Sequence, residues 1–264
     1  EFARALESRY ADQRRVDEAK RTRLNAALDR ATAALDLGAL AAGDWPRARA
    51  SLRRSLGLAG PALAALSDER LGALVAGPGL GRDPATLAAL RQVMLESTVP
   101  AVLDADGLFA FAGKPGDLQG RPGLVLTPHV GELAALLGVP AAELAAASLA
   151  AARRAAAATG QVVLLKGSST VIAAPTGETR AVVQGPPQLA SAGTGDVLSG
   201  IIGALLAKGL EPFEAAYAGA WIHAEAGRLG AMTDPQGILA GDLVELIPEV
   251  IADRIYERGP SWRT

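Results

Sequence analysis

From Leu71 onward, short apolar runs alternate with stretches of helical periodicity, and this alternation limits the possible folds more than any single motif. The runs are Ala73–Ala76, Ala101–Asp104, Leu124–Thr127, Val162–Leu165, Thr170–Ala174 and Ala181–Val183. Between and after them, helices are predicted over Pro84–Glu96, Gly131–Leu137, Ala141–Ala158, Val197–Lys208, Pro212–Leu229 and Gly241–Tyr256. A strand without polar alternation has no face for water, so it must be covered on both sides. Parallel neighbours also need a crossover long enough for a helix. The pattern therefore predicts an α/β fold, a mostly parallel central sheet between two helical layers. The last two runs, close together around Thr176-Gly177-Glu178, read as a hairpin on the sheet edge. In such sheets ligands sit beyond the carboxyl ends of the strands, and every glycine loop weighed below follows one of those ends.

Composition narrows the function classes. Apolar residues make up 50% of the 264, while aromatics are only 4%, so alanine, leucine and valine must fill the core. A net charge of −2 argues against nucleic acid as a partner. With no cysteine, disulfides, thiolate metal sites and cysteine nucleophiles are excluded, and a cytoplasmic setting is the expectation. No apolar run approaches the roughly 20 residues of a spanning helix, so no membrane partner is expected. The chain opens Glu1-Phe2 without methionine, which reads as a piece of a longer chain or a junction scar. Two domains are expected: 1–64, an Arg/Ala-rich helical segment of unknown role, and 65–264, the α/β domain. In the first, Leu24, Leu28 and Leu35 fall at helical spacing, and the charges of Arg14-Arg15-Val16-Asp17-Glu18-Ala19-Lys20-Arg21 cover the other faces.

Five segments carry candidate chemistry. In Ala192-Gly193-Thr194-Gly195-Asp196-Val197, two glycines let backbone lie close to a ligand, and the following helix turns its positive end toward it. An aspartate there is either a cap or a base that takes a proton from an attacking hydroxyl. Ala76-Gly77-Pro78-Gly79-Leu80-Gly81 is a plain tight turn or a loop that admits substrate; Arg82 stands where the dinucleotide fingerprint needs its third glycine. In Asp104-Ala105-Asp106 the carboxylates could hold a ligand or metal, or Asp106 could cap the next helix. Thr127-Pro128-His129-Val130-Gly131-Glu132 offers too few groups for a transition-metal site, and a carboxylate that orders water around Mg²⁺ is the better chemical role for Glu132. Lys166-Gly167-Ser168-Ser169-Thr170 suits polyphosphate or is an exposed hairpin; it lacks the leading glycine of a Walker loop. His223, inside an apolar helix, reads as a satisfied core histidine.

In this order the segments resemble the ribokinase-like superfamily and, within it, the ADP- or ATP-dependent NAD(P)H-hydrate dehydratases, over about residues 66–252. The most specific strings are Val102–Leu108, Leu126–Glu132 and Ala190–Gly200, with weaker support from Gly237–Leu243. The resemblance implies a three-layer α/β/α fold and the repair of hydrated NADH or NADPH in its S form, with ADP favoured over ATP as phosphate donor. By this resemblance Asp196 is the base, and Gly193, Thr194 and Gly195 form the anion hole. Gly79, Gly81, His129 and Asp196 contact the hydrated nucleotide. Lys166, Gly167, Ser168, Ser169, Thr170 and Gly195 hold the adenine nucleotide, and Glu132 holds Mg²⁺ through water. It also implies a homo-oligomer. The family's usual Gly-Asn-Pro-Gly is Gly185-Pro186-Pro187-Gln188 here, and its glycine-rich opening strand and helix have no counterpart in 1–64. That segment is also too short and too unlike the epimerase domain that often precedes bacterial relatives. Two other readings stay open: a kinase of the same superfamily that releases a stable ester of a thiazole or pyrimidine alcohol, and a catalytically impaired nucleotide-binding protein.

Overall fold

The computed structural model describes residues 71–257, with side chains to residue 252. The chain divides into two units, Glu1–Ala62 and Leu63–Thr264; the first, and with it the helical reading of residues 1–64, lies outside the described residues. The sheet has six strands in sequential order: β1 (Leu74–Ala76), β2 (Ala101–Leu103), β3 (Leu124–Leu126), β4 (Val162–Leu165), β5 (Thr170–Ala173) and β6 (Thr179–Val182). β1 to β4 pair in parallel, and β4–β5–β6 are antiparallel. The mostly parallel sheet with its edge hairpin is thus as expected, while the turn after β4 makes a second hairpin.

The helices are α1 (Pro84–Glu96), α2 (Val130–Leu137), α3 (Ala141–Ala145), α4 (Ser148–Thr159), α5 (Thr194–Ala207), α6 (Pro212–Thr233) and α7 (Ala240–Glu257). Asp83 caps α1 by accepting from the amides of Ala85 and Thr86, and Pro84 follows it as the first helical residue, which needs no amide bond. At the other end, the buried Arg121 guanidinium donates to the carbonyls of Met94, Val99 and Pro122. The region 141–158, read as one helix, is two: the chain leaves helical geometry at Ala147 (φ −149°) and restarts at Ser148.

Because strand side chains alternate in direction, each strand serves both layers. Val102, Val125, Leu164, Ile172 and Val182 form one buried cluster with Leu198, Ile202 and Leu206 of α5 and Ala216 and Ala220 of α6. Leu103, Leu126, Val163 and Ala173, also fully buried, point the other way, where α4 packs on β4 and β5. The α4 face is Ala151, Ala152, Ala155 and Ala156, small side chains that bring helix and sheet close together. Alanine does here what aromatics do in other cores.

Candidate active site

The carboxyl ends of β2, β3 and β4 converge on a polar cluster beside the start of α5. Asp104, just past β2, is 1% exposed and fully engaged. One oxygen accepts from Lys166 Nζ at 2.8 Å and from the Ala105 amide at 2.8 Å; the other accepts from Ser199 Oγ of α5 at 2.6 Å. Lys166 also lies 3.6 Å from Glu132 Oε2. A carboxylate this deep needs such partners to offset its lost hydration. Lys166 is therefore no exposed hairpin lysine: it reaches back into the molecule, and a Cβ placed on Gly195 would stand 3.7 Å from its ammonium. Its turn neighbours Gly167, Ser168 and Ser169 remain exposed.

His129 and Glu132 form a reciprocal capping box at the start of α2. His129 Nδ1 accepts from the amides of Gly131 (2.9 Å) and Glu132 (3.2 Å), while Glu132 Oε2 accepts from the His129 amide at 2.8 Å. This fixes the tautomer, since Nδ1 can accept only if the ring proton is on Nε2. A β-bridge joins His129 to Lys166, whose amide donates to Pro128 O at 2.8 Å, so both motifs share one strand end. Glu132 is nearly buried, its side chain 8% exposed, with Oε1 3.3 Å from His129 Nε2 and Oε2 3.6 Å from Lys166 Nζ. Among the described residues no three His, Cys, Asp or Glu cluster as a direct metal shell.

The Gly77–Gly81 loop is tied to the same place. Gly77 (φ +122°) packs its Cα against Gly107, and a Cβ on it would fall 1.7 Å from Asp104 O; only glycine fits. Asp106 does not cap the helical turn after β2; Asp104 does. The Asp106 carboxylate instead crosses to the loop and accepts from the Gly81 amide (3.1 Å) and Arg82 Nε (2.7 Å). Arg82 in turn stacks on Phe109, 3.6 Å from the ring centroid. Gly79 faces open space.

α5 begins at Thr194, three residues before the expected start. Gly193 caps it with φ +85°. The Thr194 hydroxyl donates to Leu189 O (2.6 Å) and Ser191 O (2.8 Å). The Thr194 amide reaches Ser191 O at 3.4 Å, and the Asp196 and Val197 amides close on Gly193 O at 3.1 and 3.2 Å. Among the described residues, the amides of Gly193 and Gly195 have no hydrogen-bond partner, and neither does the exposed Asp196 carboxylate. Two free amides and one free carboxylate thus belong to one helix start, with the Lys166 ammonium beside Gly195.

Sequence reasoning missed the link from His223. It is buried, as expected of a core histidine, but its Nε2 lies 2.9 Å from Thr194 O. Burial above all pushes its pKa below the usual histidine value, the nearby Lys166 charge adds to this, and the Thr194 bond opposes it. No local signal in α6 announces this contact.

The mostly parallel sheet, flanked by helices and with glycine loops at its strand ends, is that of a ribokinase-like α/β protein. The chain belongs to the NAD(P)H-hydrate dehydratase family, whose sequence profile matches residues 45–249. That match begins upstream of Leu66, inside the segment read as unlike the family. The bifunctional NAD(P)H-hydrate repair enzyme Nnr of Moorella thermoacetica is 44% identical over 180 residues, 67% of this chain and 34% of that protein. The ADP-dependent (S)-NAD(P)H-hydrate dehydratase of Neisseria meningitidis is 43% identical over 183 residues, 67% of this chain and 61% of that one. The fold matches the ADP/ATP-dependent NAD(P)H-hydrate dehydratase of Bacillus subtilis, co-crystallised with ATP/Mg²⁺, with TM-score 0.62 and 31% identity, covering 73% and 68% of the two chains. The chain spans about a third of the length of the Nnr relatives it matches.

Proposed function

We propose that this chain restores the S form of NAD(P)H hydrate to NAD(P)H at the expense of a nucleotide phosphate, with ADP preferred. The observation that carries the reading is the free Asp196 carboxylate beside the unpartnered Gly193 and Gly195 amides. A carboxylate needed only for structure would be bonded, as Asp104 is; one left free beside an anion site is suited to take a proton. In this reading Asp196 deprotonates the hydroxyl on ring carbon 6, and that oxygen attacks the terminal phosphoryl group as its bond to the bridging oxygen breaks and AMP leaves from ADP (or ADP from ATP). The amides of Gly193 and Gly195 meet the negative charge of the transferring group, with Thr194 as the link between them. Phosphate then leaves with the carbon–oxygen electron pair, the adjacent ring carbon loses a proton, and the dihydronicotinamide conjugation returns.

His129, 59% exposed at its side chain with Nε2 3.3 Å from Glu132 Oε1, lies against the hydrated nucleotide, and Gly79 and Gly81 let that nucleotide approach the backbone. Lys166 and the Gly167–Thr170 turn take the adenine nucleotide together with Gly195. Mg²⁺, when bound, neutralises charge on the nucleotide phosphates; Glu132 would hold it through water. Residues 65–264 serve as the catalytic domain, and we expect a cytoplasmic homo-oligomer. The names of the Neisseria and Bacillus proteins support the nucleotide dependence.

The test is to incubate the chain with hydrated NADH, Mg²⁺ and ADP or ATP, and to follow the returning absorbance of the reduced nicotinamide. Asp196→Asn should abolish turnover yet keep ADP affinity within about threefold, because it removes a base and not an anchor. If Asp196→Asn keeps most of the rate, Asp196 is not the base. A wild type that binds ADP but returns no absorbance with either nucleotide refutes the activity.

A further inference from the structure

The only histidine of α6 is buried away from solvent, yet its ring reaches a backbone carbonyl at the α5 start. Thr194 O receives His223 Nε2 at 2.9 Å. A carbonyl acceptor requires that the ring proton be on Nε2. The peptide is planar and trans, so fixing the Thr194 carbonyl toward α6 turns the amide of the next residue, Gly195, the opposite way. Among the described residues that amide has no partner, and Lys166 Nζ lies beside the same glycine. The Thr194 side chain is held separately by Leu189 O and Ser191 O, and as the first residue of α5 its carbonyl also faces the helical ladder, so His223 adds a second donor that fixes the peptide plane at the frayed end. Hydrogen bonds in series polarise one another, so donation to the carbonyl also strengthens the amide as a donor. The lowered pKa of His223 keeps the ring neutral near pH 7, able to donate without adding a charge that must be solvated.

We propose that His223 is a positioning residue that holds the Thr194–Gly195 peptide with its amide aimed at the transferring phosphoryl group. The proposal rests on the dehydratase reading of the site. It assigns His223 an effect that grows as charge develops on the phosphoryl group, and little effect on ground-state nucleotide binding.

Two measurements test it. In the kinetic one, His223→Leu removes the donor, and His223→Gln keeps an N–H of similar reach. For His223→Leu, kcat should fall roughly tenfold, a fraction of the roughly 100-fold or more lost with a direct oxyanion donor, while KM for ADP moves less than about threefold. His223→Gln should recover kcat to within about threefold of wild type. Unchanged kcat in a folded His223→Leu, or equal losses in Leu and Gln variants, overturns the proposal; a merely structural histidine would lower the melting temperature and leave kcat of the folded protein alone. The second measurement does not depend on activity or on the Leu variant folding. In ¹⁵N-histidine-labelled wild type there are only two rings, and the signal lost in His223→Gln should be the Nε2–H tautomer; an Nδ1–H tautomer overturns the proposal. A wild type without turnover would instead refute the dehydratase reading, while the ring measurement would still report on the hydrogen bond.

Discussion

Lys166→Met isolates what binds the strand ends together. The ammonium lies 2.8 Å from Asp104 and 3.6 Å from Glu132. At an effective dielectric near 20, these contacts correspond to roughly 6 and 5 kcal/mol of gross attraction. Most of that offsets the desolvation of three charges, so the gross figures are not the expected loss. Breaking a buried pair typically costs about 3–5 kcal/mol, because the remaining carboxylate is left buried and uncompensated. The Lys166 side chain is 22% exposed and water can partly replace it, which brings the expected loss to about 2–4 kcal/mol. For a domain of this size that lowers Tm by roughly 5–15 °C. Urea and thermal unfolding of Lys166→Met, Asp104→Asn and the double variant give the cycle. A neutral amide at 104 needs no counterion, so the double variant should recover about 2 kcal/mol relative to the sum of the single losses. A Lys166→Met loss below about 1 kcal/mol, or losses that simply add, would refute the idea that one ammonium balances both carboxylates.

Two further outcomes are expected. His129→Ala should cost about 1 kcal/mol in urea unfolding through the lost cap. His129→Asn keeps a capping side chain and should stay within a few tenths of a kcal/mol of wild type while raising KM for hydrated NADH; equal KM values in both variants and wild type would remove His129 from the substrate site. For His223 the folded pKa lies below the ordinary value, so the unfolded chain binds the proton more readily. The neutral ring therefore contributes stability at pH above about 6.5 that is lost as pH falls below it. The urea midpoint should drop between about pH 7 and pH 5.5, and less steeply in His223→Gln. Equal slopes would show that His223 does not titrate differently on folding.

The sheet and most helices were legible because their signals are local. Val162–Leu165 and Pro84–Glu96 have the bounds read from the sequence, one from an unbroken apolar run and the other from Asp83 and Pro84. The sequence places the start of α5 late because Gly193-Thr194-Gly195 has poor helix propensity; in the fold the Thr194 hydroxyl and His223 support it through contacts outside the segment. The break at Ala146–Ala147 has no glycine or proline to mark it. At the site the right residues stood out as types, but their partners did not. Asp104 meets Lys166 and Ser199 across 62 and 95 residues, and Asp106 looks like a cap until the Gly81 loop is folded beside it. Capping boxes, by contrast, can be read at a fixed spacing, but the Ser/Thr-x-x-Glu/Gln template does not anticipate His129 in the capping place.

The seam between Gly77 and Gly107 limits how this site can change over generations. An oversized residue in a core is often tolerated when its neighbour shrinks in return, but neither partner here has a side chain to give up. A methyl on Gly77 would meet the Asp104 carbonyl and the Gly107 amide, and one on Gly107 would meet the Leu103 side chain, the Gly77 Cα and the Ala76 carbonyl. Between the two glycines main chain abuts main chain, so trimming Leu103 would not relieve the contact and no compensating second substitution exists at the pair itself. Lineages that retain this loop can vary the surrounding side chains, but at these two positions each one-step change leads off the functional ridge.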